Sequence, residues 1–451
     1  MRLGASSLTL KEAANAVASR EISALDLVSS SLETISEIDG KLNAFIAVMA
    51  DSAIEEAERA DRELEEGRLR GPLHGVPIAI KDIIDIEGYP TQCHSRVAPS
   101  IPVRKDAEVI ARLRAAGAII IGKTALHEFA SGGPSFDLPW PPARNPWLTT
   151  HHPGGSSSGS AVAVSSGMVA GAIGTDTAGS VRHPATACGI VGLKPTYDVI
   201  SRRGVFPLAF SLDHVGPLTR NVADCAVVYD AIRTRTQSTS SVSKERDLRG
   251  LRIGVLEEFG ATAHPSIGSS FEVAKAVLMD LGAELVSLDI PPLEAFAGCG
   301  RLILQAESYA VHANWLRARP SEYGQRGRLR LSAGEAISAE HYIKAQQLRR
   351  LLTEQFTSAM STVDAAICVS SLELPCAIDD AEQIDRTYDR QARTPFNLTG
   401  SPALALPIGF TDHGLPTGMQ IVGRHHDEPV ILRIAAAYEA ATGWHMRRPE
   451  L

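Results

Sequence analysis

The most informative part of the sequence is residues 153–196, PGGSSSGSAVAVSSGMVAGAIGTDTAGSVRHPATACGIVGLKPT. Two Gly/Ser clusters, 154–160 and 174–180, flank a run of small residues, 161–169, that is predicted to form a helix. Clusters of this kind place flexible backbone N–H groups and hydroxyls close together, which suits a phosphate or an oxyanion that develops during a reaction. The composition of the clusters leaves both possibilities open, as well as a pair of tight loops without chemistry.

Two familiar interpretations of these clusters are disfavoured. A phosphate-binding loop of the type GxxxxGK[ST] needs a lysine after its last glycine, and neither cluster has one. Residues 155–159, GSSSG, match the GxSxG nucleophile elbow, which would make Ser157 the nucleophile of a Ser-His-Asp hydrolase. An elbow follows a buried strand, however, whereas residues 147–153, WLTTHHP, are polar and end in proline.

The sequence around this block alternates between predicted strands and helices. Residues 76–80 predict a short strand that ends at Lys81, and residues 107–122 predict a helix ending near Gly117 with a buried strand after it. In the second half of the chain, the predicted strand, helix and strand are 251–256, 271–281 and 283–288. This alternation predicts an α/β fold.

Composition narrows the function classes. The 451 residues carry a formal net charge of −8, so the chain has no overall basic field to attract a nucleic-acid backbone. The six cysteines are scattered without CxxC spacing, which predicts neither a zinc site nor a disulfide framework. No signal peptide or membrane span is expected, and the predicted location is the cytoplasm.

Several motifs resemble those of the amidase signature family. They are GVPIAIKD at 75–82, GGSSSGSA at 154–161, GTDTAGS at 174–180, CGIVGLKPT at 188–196, SRRG at 201–204, SLDHVGP at 211–217, TPFNLTGSPALALP at 394–407 and GLPTGMQIVGR at 414–424. The resemblance covers nearly the whole chain. It implies the family's fold, a single large α/β/α domain with a central twisted mixed β-sheet covered by helices.

We therefore expect one amidase signature domain over residues 1–451. The expected parts of this domain are an N-terminal helical arm at 1–70, a catalytic block at 71–220, a polar surface loop at 233–249 and a C-terminal part at 250–451.

The resemblance also implies a Ser-Ser-Lys triad. By position in the motifs, Ser180 is the nucleophile that forms an acyl-enzyme, Ser156 is the proton relay and Lys81 is the base. A serine hydroxyl needs a base to remove its proton, and a lysine can serve if burial lowers its pKa enough for the amine to be neutral. The family also implies a cis peptide bond at Ser156. The alternative, that each serine only caps a loop, is disfavoured because all three positions are filled.

The second cluster is expected to supply the oxyanion hole. In the family, successive backbone N–H groups before the nucleophile stabilise the tetrahedral oxyanion, which assigns this role to Thr177, Ala178, Gly179 and Ser180. This chain has Ala178 where many members have glycine. Asp176 and Arg182 flank the nucleophile and are interpreted as structural residues that fix the loop.

The substrate pocket is harder to predict. The aromatic and proline-rich stretch 129–142 is a candidate pocket loop, with Phe129, Phe136 and Trp140 as candidate substrate-binding residues, although ordinary loop packing is an equal alternative. Of the histidines near the clusters, His151 and His152 are candidates for the pocket wall and His183 is interpreted as a loop residue. No cofactor and no metal are expected.

Three functions compete. The favoured one is a free-standing amidohydrolase that cleaves a carboxylic amide, with activity on aryl amides, urea derivatives, esters or carbamates left open. Its expected partners are a small-molecule amide substrate and, at most, a second copy of the chain, with no nucleic acid and no membrane.

The alternative is the A subunit of a glutamyl/aspartyl-tRNA amidotransferase, which uses glutamine and needs partner subunits. It is disfavoured because residues 296–393 show no obvious resemblance to that protein. The third, a non-catalytic scaffold, is opposed by the complete triad.

Overall fold

A computed structural model describes residues 8–234 and 247–451 of the chain. The described part thus excludes the first seven residues and residues 235–246, which form most of the predicted surface loop at 233–249. Helices and strands alternate along both halves of the described chain, as the sequence predicts.

The described strands are short and mostly buried. They are β1 (Phe45–Val48), β2 (Pro77–Lys81), β3 (Ile119–Thr124), β4 (Gly171–Asp176), β5 (Val191–Lys194), β6 (His214–Thr219), β7 (Arg252–Val255), β8 (Glu284–Ser287), β9 (Ala365–Val369), β10 (Ala403–Phe410) and β11 (Pro416–Gly423). All of these strands join one mixed sheet in the order β1-β3-β2-β4-β6-β5-β10-β11-β9-β7-β8. β2 is parallel to both β3 and β4, whereas β4 and β6 are antiparallel.

Helices cover the sheet. Those described are α1 (Leu10–Ala18), α2 (Ala24–Leu42), α3 (Ala50–Glu65), α4 (Glu108–Ala115), α5 (Ser158–Ser165), α6 (Arg182–Cys188), α7 (Val222–Ile232), α8 (Pro265–Asp280), α9 (Leu293–Ala318), α10 (Gln325–Ser332), α11 (Ala339–Met360), α12 (Ala381–Asp389), α13 (Thr394–Leu398) and α14 (Glu428–Thr442).

Two hydrophobic cores lie on opposite faces of the sheet. Along β2, Ile78 and Ile80 belong to one core and Ala79 to the other, because successive side chains of a strand point to opposite faces. Since both faces are covered by helices, the strand is apolar throughout rather than alternating with polar residues. The predicted α/β/α architecture with a central mixed sheet is confirmed.

Two predicted helices have different ends in the structure. The helix predicted at 161–169 is α5, which already begins at Ser158 inside the first Gly/Ser cluster and ends at Ser165, before Gly167 with its φ of 79°. The helix predicted at 271–281 is α8, which begins earlier, at Pro265, a favoured residue for the first turn. None of the helices in residues 8–234 and 247–451 is both long and apolar enough to cross a membrane.

Candidate active site

The fold brings the predicted triad segments to one edge of the sheet. Lys81 is the last residue of β2, and Asp176 is the last residue of β4. Because β2 and β4 are parallel neighbours, their carboxyl ends lie side by side. The first Gly/Ser cluster leads into α5, and the second connects β4 to α6, so both clusters meet Lys81 at this edge.

Lys81 is fully buried and holds two hydroxyl groups. Its Nζ lies 2.8 Å from Oγ of Ser156 and 2.7 Å from Oγ1 of Thr175. Burial lowers the pKa of Lys81 to about 7, although the carboxylates of Asp176 and Asp213 oppose this shift. A substantial fraction of the amine is therefore neutral near neutral pH and able to accept a proton. Thr175 lies within the GTDTAGS motif, so the sequence contains a signal for this contact, but the resemblance alone assigns no role to Thr175.

The three consecutive serines of the first cluster have different surroundings. Ser156 contacts Lys81 and lines a cavity, and the peptide bond between Gly155 and Ser156 is cis, as the resemblance implied. Ser157 is fully buried: its Oγ donates to the carbonyl of Thr175 and accepts from the N–H of Thr175. A substrate cannot reach Ser157 in this arrangement, which excludes the nucleophile-elbow interpretation.

Ser180 faces the same cavity as Ser156. The cavity has a volume of about 390 Å³, and its lining includes Ser156, Thr177, Ala178 and Ser180. Ser180 is partly exposed to it, in contrast to the buried Ser157. The carbonyl of Ser180 accepts a hydrogen bond from the N–H of Ser157 at 3.2 Å, which ties the two Gly/Ser clusters together.

The predicted oxyanion donors divide into two groups. Within the described residues, the backbone N–H groups of Thr177, Ala178 and Ser180 form no hydrogen bond and stay available to a substrate oxygen. Gly179 differs from the prediction, because its N–H donates to Oδ1 of Asp176 at 2.8 Å. The hydroxyl of Thr177 donates to Oδ1 of Asp213 at 2.6 Å, which fixes the start of the loop.

A buried ion pair supports this loop. Arg182 and Asp176 are both inaccessible to solvent, with Nη2 3.0 Å from Oδ1. Arg182 also donates to Oδ1 of Asn397 and Oε1 of Gln420, both at 2.6 Å. Neither Asp176 nor Arg182 lines the cavity, in keeping with the structural role interpreted from the sequence. Sequence reasoning missed Asn397 and Gln420, although both lie in motifs that resemble the family.

The structure separates the three candidate substrate-binding aromatics. Phe129 is fully buried, in a left-handed turn with a φ of 48°, and packs against Phe206, His312, Trp315 and Tyr323. The prediction that it binds substrate is therefore wrong, because the turn directs its ring into the core.

The other two candidates lie outside the cavity that contains Ser156 and Ser180. The ring of Trp140 packs on His94, and its carbonyl contacts Nε2 of that histidine at 2.9 Å, so Trp140 stabilises a loop. Phe136 is 56% exposed and lines an adjoining groove. This groove shares Leu329 and Arg330 with the cavity that contains Ser180, so Phe136 lies at the mouth of that cavity.

Histidines form part of the cavity wall. His127 and His183 line the cavity together with Tyr388, whose hydroxyl lies 3.2 Å from Nε2 of His127. His152, predicted as a wall residue, instead packs behind His183 and Tyr388. Burial lowers the pKa of His127 and His183 well below the ordinary value and that of His152 to about 3, so these rings are neutral at neutral pH.

In the described residues, no group of three or more His, Cys, Asp and Glu side chains is arranged to hold a metal ion.

Comparison with known proteins identifies the family. The model of the family named Amidase matches residues 26–432, most of the chain. The chain belongs to the amidase family. This match confirms the family that the sequence motifs predict. Enzymes of the amidase signature family act on C–N bonds.

Curated relatives of this amidase-family chain are components of a larger enzyme. The A subunit of glutamyl-tRNA(Gln) amidotransferase from Roseiflexus sp. (strain RS-1) is 37% identical, and the alignment covers 98% of each chain. Its counterpart from Cyanothece sp. (strain PCC 7425 / ATCC 29141) is 34% identical over 98% of this chain and 100% of its own. The alignments cover 98% of this chain, so they are not interrupted at residues 296–393, the region whose lack of obvious resemblance disfavoured the amidotransferase protein in the sequence analysis.

The partner prediction is also overturned. It restricted the partners of the chain to a small-molecule amide and, at most, a second copy of the chain, and it excluded nucleic acid. The relatives at 37% identity are subunits of a tRNA amidotransferase, which contradicts that restriction.

Solved structures of amidase-family proteins share the fold over nearly the full length. One is from a vestigial protein complex that reveals the evolutionary origins of an s-triazine catabolic enzyme. It is 31% identical to this chain with a TM-score of 0.90, and the superposition covers 98% of this chain and 100% of the other. Another is the peptide amidase of Stenotrophomonas maltophilia, with 30% identity, a TM-score of 0.87 and coverage of 98% of each chain.

Proposed function

We propose that this chain hydrolyses the C–N bond of a carboxylic amide through an acyl-enzyme on Ser180. The observation that carries the proposal is the 2.8 Å contact between Nζ of the buried Lys81 and Oγ of Ser156, at the edge of the cavity that also contains Ser180. A base with a lowered pKa next to a hydroxyl that can relay protons is what an unactivated serine nucleophile requires.

The reaction proceeds in two halves. Neutral Lys81 accepts the proton of Ser156, which takes the proton of Ser180, and Oγ of Ser180 forms a bond to the carbonyl carbon. The N–H groups of Thr177, Ala178 and Ser180 stabilise the oxyanion. The C–N bond breaks as Ser156 passes a proton to the leaving nitrogen and recovers one from Lys81. Water, deprotonated by the same relay, then cleaves the ester, releasing the carboxylic acid and restoring Ser180.

We further propose that the chain acts as the catalytic subunit of an amidotransferase-type assembly, with glutamine as the amide donor. The relatives at 37% identity over 98% of the chain support this assignment. In this role Ser180 forms a glutamyl ester, which water hydrolyses to glutamate. The ammonia that leaves attacks a carboxyl group that a partner subunit holds and has activated with ATP, and phosphate departs as the new amide bond forms.

A second candidate is an amidase that acts on a different amide. The match to the peptide amidase favours it, since the fold and the chain length agree almost completely. Both candidates use the same three residues, so they differ in substrate and in the need for partners rather than in chemistry.

One set of assays separates these functions. The purified chain is supplied with glutamine, a peptide amide, an anilide, a urea derivative, an ester and a carbamate, and the release of ammonia, amine or alcohol is measured against Ser180→Ala. The glutamine assay is repeated with the remaining subunits of a glutamyl-tRNA(Gln) amidotransferase, Glu-tRNA(Gln), and ATP with Mg²⁺ to activate the glutamyl carboxylate. Glutamine-dependent formation of Gln-tRNA that needs Ser180 supports the amidotransferase; turnover of another amide by the chain alone supports the second candidate. Equal turnover by Ser180→Ala would contradict both.

A further inference from the structure

Arg393 is a buried cation without an anionic partner in the described residues. Its side chain is 2% exposed, and its Nη1 donates to the carbonyl of Ser370 at 2.7 Å and to Oγ of Ser371 at 2.6 Å. Nε has no partner, and among residues 8–234 and 247–451 no carboxylate forms an ion pair with Arg393. The nearby carboxylate of Asp176 is already paired with Arg182.

A buried guanidinium without an anionic partner destabilises the folded protein unless a ligand compensates its charge. Burial and the charge of Arg182 lower the pKa of Arg393 to about 9, so the guanidinium is still protonated at neutral pH. A buried, unpaired charge is destabilising, and proteins usually pair such groups or keep them for function.

Arg393 lies at the catalytic cavity. It lines the cavity together with Ser180 and Thr394. Its side chain packs directly on Gly179, the residue before the nucleophile: a Cβ atom added to Gly179 would lie 2.5 Å from Nε and 2.6 Å from Cδ of Arg393. The unpaired guanidinium therefore adjoins the reaction centre.

The free edge of the guanidinium has the geometry of a carboxylate site. With Nη1 held by Ser370 and Ser371, the Nε and Nη2 groups remain, and these two form the side-on edge that binds a carboxylate through two parallel hydrogen bonds.

Other charges of the cavity are also mostly positive. Its lining includes Arg301 and Arg330 but, among acidic residues, only Asp389 in the described part of the chain. Arg330 is neutralised by two carboxylates, since its Nη2 lies 3.0 Å from Oδ1 of Asp385 and its Nη1 4.0 Å from Oδ1 of Asp389. Among the described residues, Arg301 and Arg393 are the lining cations that form no ion pair. The cavity thus favours an anion over a cation.

We propose that the amide substrate carries a carboxylate a few bonds from the scissile amide and that Arg393 binds this carboxylate. The proposal rests on the proposed function and names its substrate class: short ω-amides of carboxylic acids, whether an α-amino acid such as glutamine or a simple diacid monoamide. A backbone carbonyl would satisfy the guanidinium less well, because only an anion compensates its charge.

The test compares two amides of the same shape. Succinamate carries the carboxylate, and 4-methylpentanamide replaces it with an isopropyl group; glutamine is the third substrate and distinguishes an amino acid from a diacid monoamide. kcat and KM are measured for the parent, Arg393→Gln and Arg393→Lys, with Arg350→Gln as a control. Arg350 is exposed on α11, and within the described part of the chain its one ion pair is with Glu354. Binding of succinamate and 4-methylpentanamide to Ser180→Ala is measured by calorimetry, with and without Arg393→Gln.

We expect Arg393→Gln to lower kcat/KM for succinamate or glutamine about 100-fold, chiefly through KM, because a buried charged hydrogen-bonded pair loses one partner. Turnover of the neutral amide changes less than about threefold, because 4-methylpentanamide has no carboxylate for the guanidinium of Arg393 to bind, and losing that guanidinium therefore removes no such contact. Arg393→Lys keeps the charge without the two-pronged edge and gives an intermediate loss. Arg350→Gln matches the parent.

Two outcomes would overturn the carboxylate site. One is an equal loss of kcat for the charged and the neutral amide, which would assign Arg393 to the carbonyl oxygen or to support of the loop. The other is calorimetry in which Ser180→Ala binds the neutral amide as tightly as succinamate, and this arm decides even if Arg393→Gln fails to fold. Failure of the proposed function is distinct from both, since it would appear as unchanged turnover in Ser180→Ala.

Discussion

Nζ of Lys81 lies 2.7 Å from Oγ1 of Thr175, in addition to its contact with Ser156. A neutral amine has two N–H donors and one lone pair. A hydrogen bond donated to Thr175 therefore restrains the rotation of the amine and helps to turn the lone pair toward Oγ of Ser156, where the proton must be accepted. In the proposed mechanism, in which Lys81 is the base, Thr175 is therefore a positioning residue.

Replacement of Thr175 tests this restraint. We expect Thr175→Val, which keeps the shape but removes the hydroxyl, to lower kcat by about tenfold, because a lost buried hydrogen bond is worth about 1–3 kcal/mol. Thr175→Ser is the matched control and should retain most of the activity. Steady-state kinetics and thermal melting of both variants provide the measurement; parent-like kcat in Thr175→Val would show that the contact does not orient the base.

The pH dependence of kcat/KM should follow the protonation of Lys81. Burial lowers its pKa to about 7, and the base is active only when neutral, so activity should fall about tenfold per pH unit below that value and level off above it. The buried His127 and His183 should not contribute this limb, because their pKa values lie well below the ordinary range. The same limb in variants with His127 or His183 replaced by Gln, fitted from rate profiles between about pH 5 and 9, would support the assignment. A limb that disappears in one of them would transfer the role to that histidine.

A serine-directed reagent should find Ser180. A fluorophosphonate is expected to label this residue and to stop hydrolysis, because Ser180 faces the cavity next to the free N–H groups of Thr177 and Ala178. Ser157 is the internal control, since it is fully buried and hydrogen-bonded to Thr175. Peptide mapping by mass spectrometry reads out the site, and a label on Ser157, or none in active protein, would contradict the assignment.

The positions of site residues in the fold are predicted correctly from the sequence where a family motif falls at the end of a predicted strand, and less well where the position depends on the conformation of a loop. The apolar run before Lys81 predicts that this residue ends a strand, and β2 does end at Lys81. In contrast, only residue type and the surrounding prolines predict that Phe129 lines the pocket. Its direction depends on a left-handed turn, which periodicity does not reveal.

Long-range contacts account for the rest of what the sequence did not show. Arg393 lies 213 residues from Ser180 in the chain, and only the folded sheet brings it to the same cavity. The hydrogen bond from Gly179 to Asp176 is short in sequence but depends on the conformation of the loop, so the motif alone suggested four oxyanion donors where the structure leaves three.

Asp176 should be essential for stability. Its carboxylate accepts from the N–H groups of Gly179 and Val181 and pairs with Arg182, all without access to solvent. We expect Asp176→Asn to lower the free energy of unfolding by about 3–5 kcal/mol, because Arg182 would be left as a buried, uncompensated cation. Urea denaturation followed by circular dichroism measures this loss. Glu354→Gln, which removes an exposed ion pair on α11, should leave the midpoint near that of the parent; a similarly small effect of Asp176→Asn would mean that the pair is not required.

Replacement of Lys81 separates this mechanism from every histidine-based one. Lys81→Ala should reduce amide turnover by about 10²–10⁴-fold, the usual contribution of a general base, because Ser156 then has no group to receive its proton. The fold should survive, since the change removes a buried amine rather than the partner of a buried charge; circular dichroism and the melting temperature check this. Lys81→Arg should be equally inactive, because a guanidinium is protonated at all working pH values and cannot act as a base.

Single replacements of His183, which lines the cavity, and of His214, which lies in β6, should reduce amide turnover far less than replacement of Lys81. Near-parent amidase activity in Lys81→Ala, together with its loss in a folded His183 or His214 variant, would rule out the Ser-Ser-Lys mechanism.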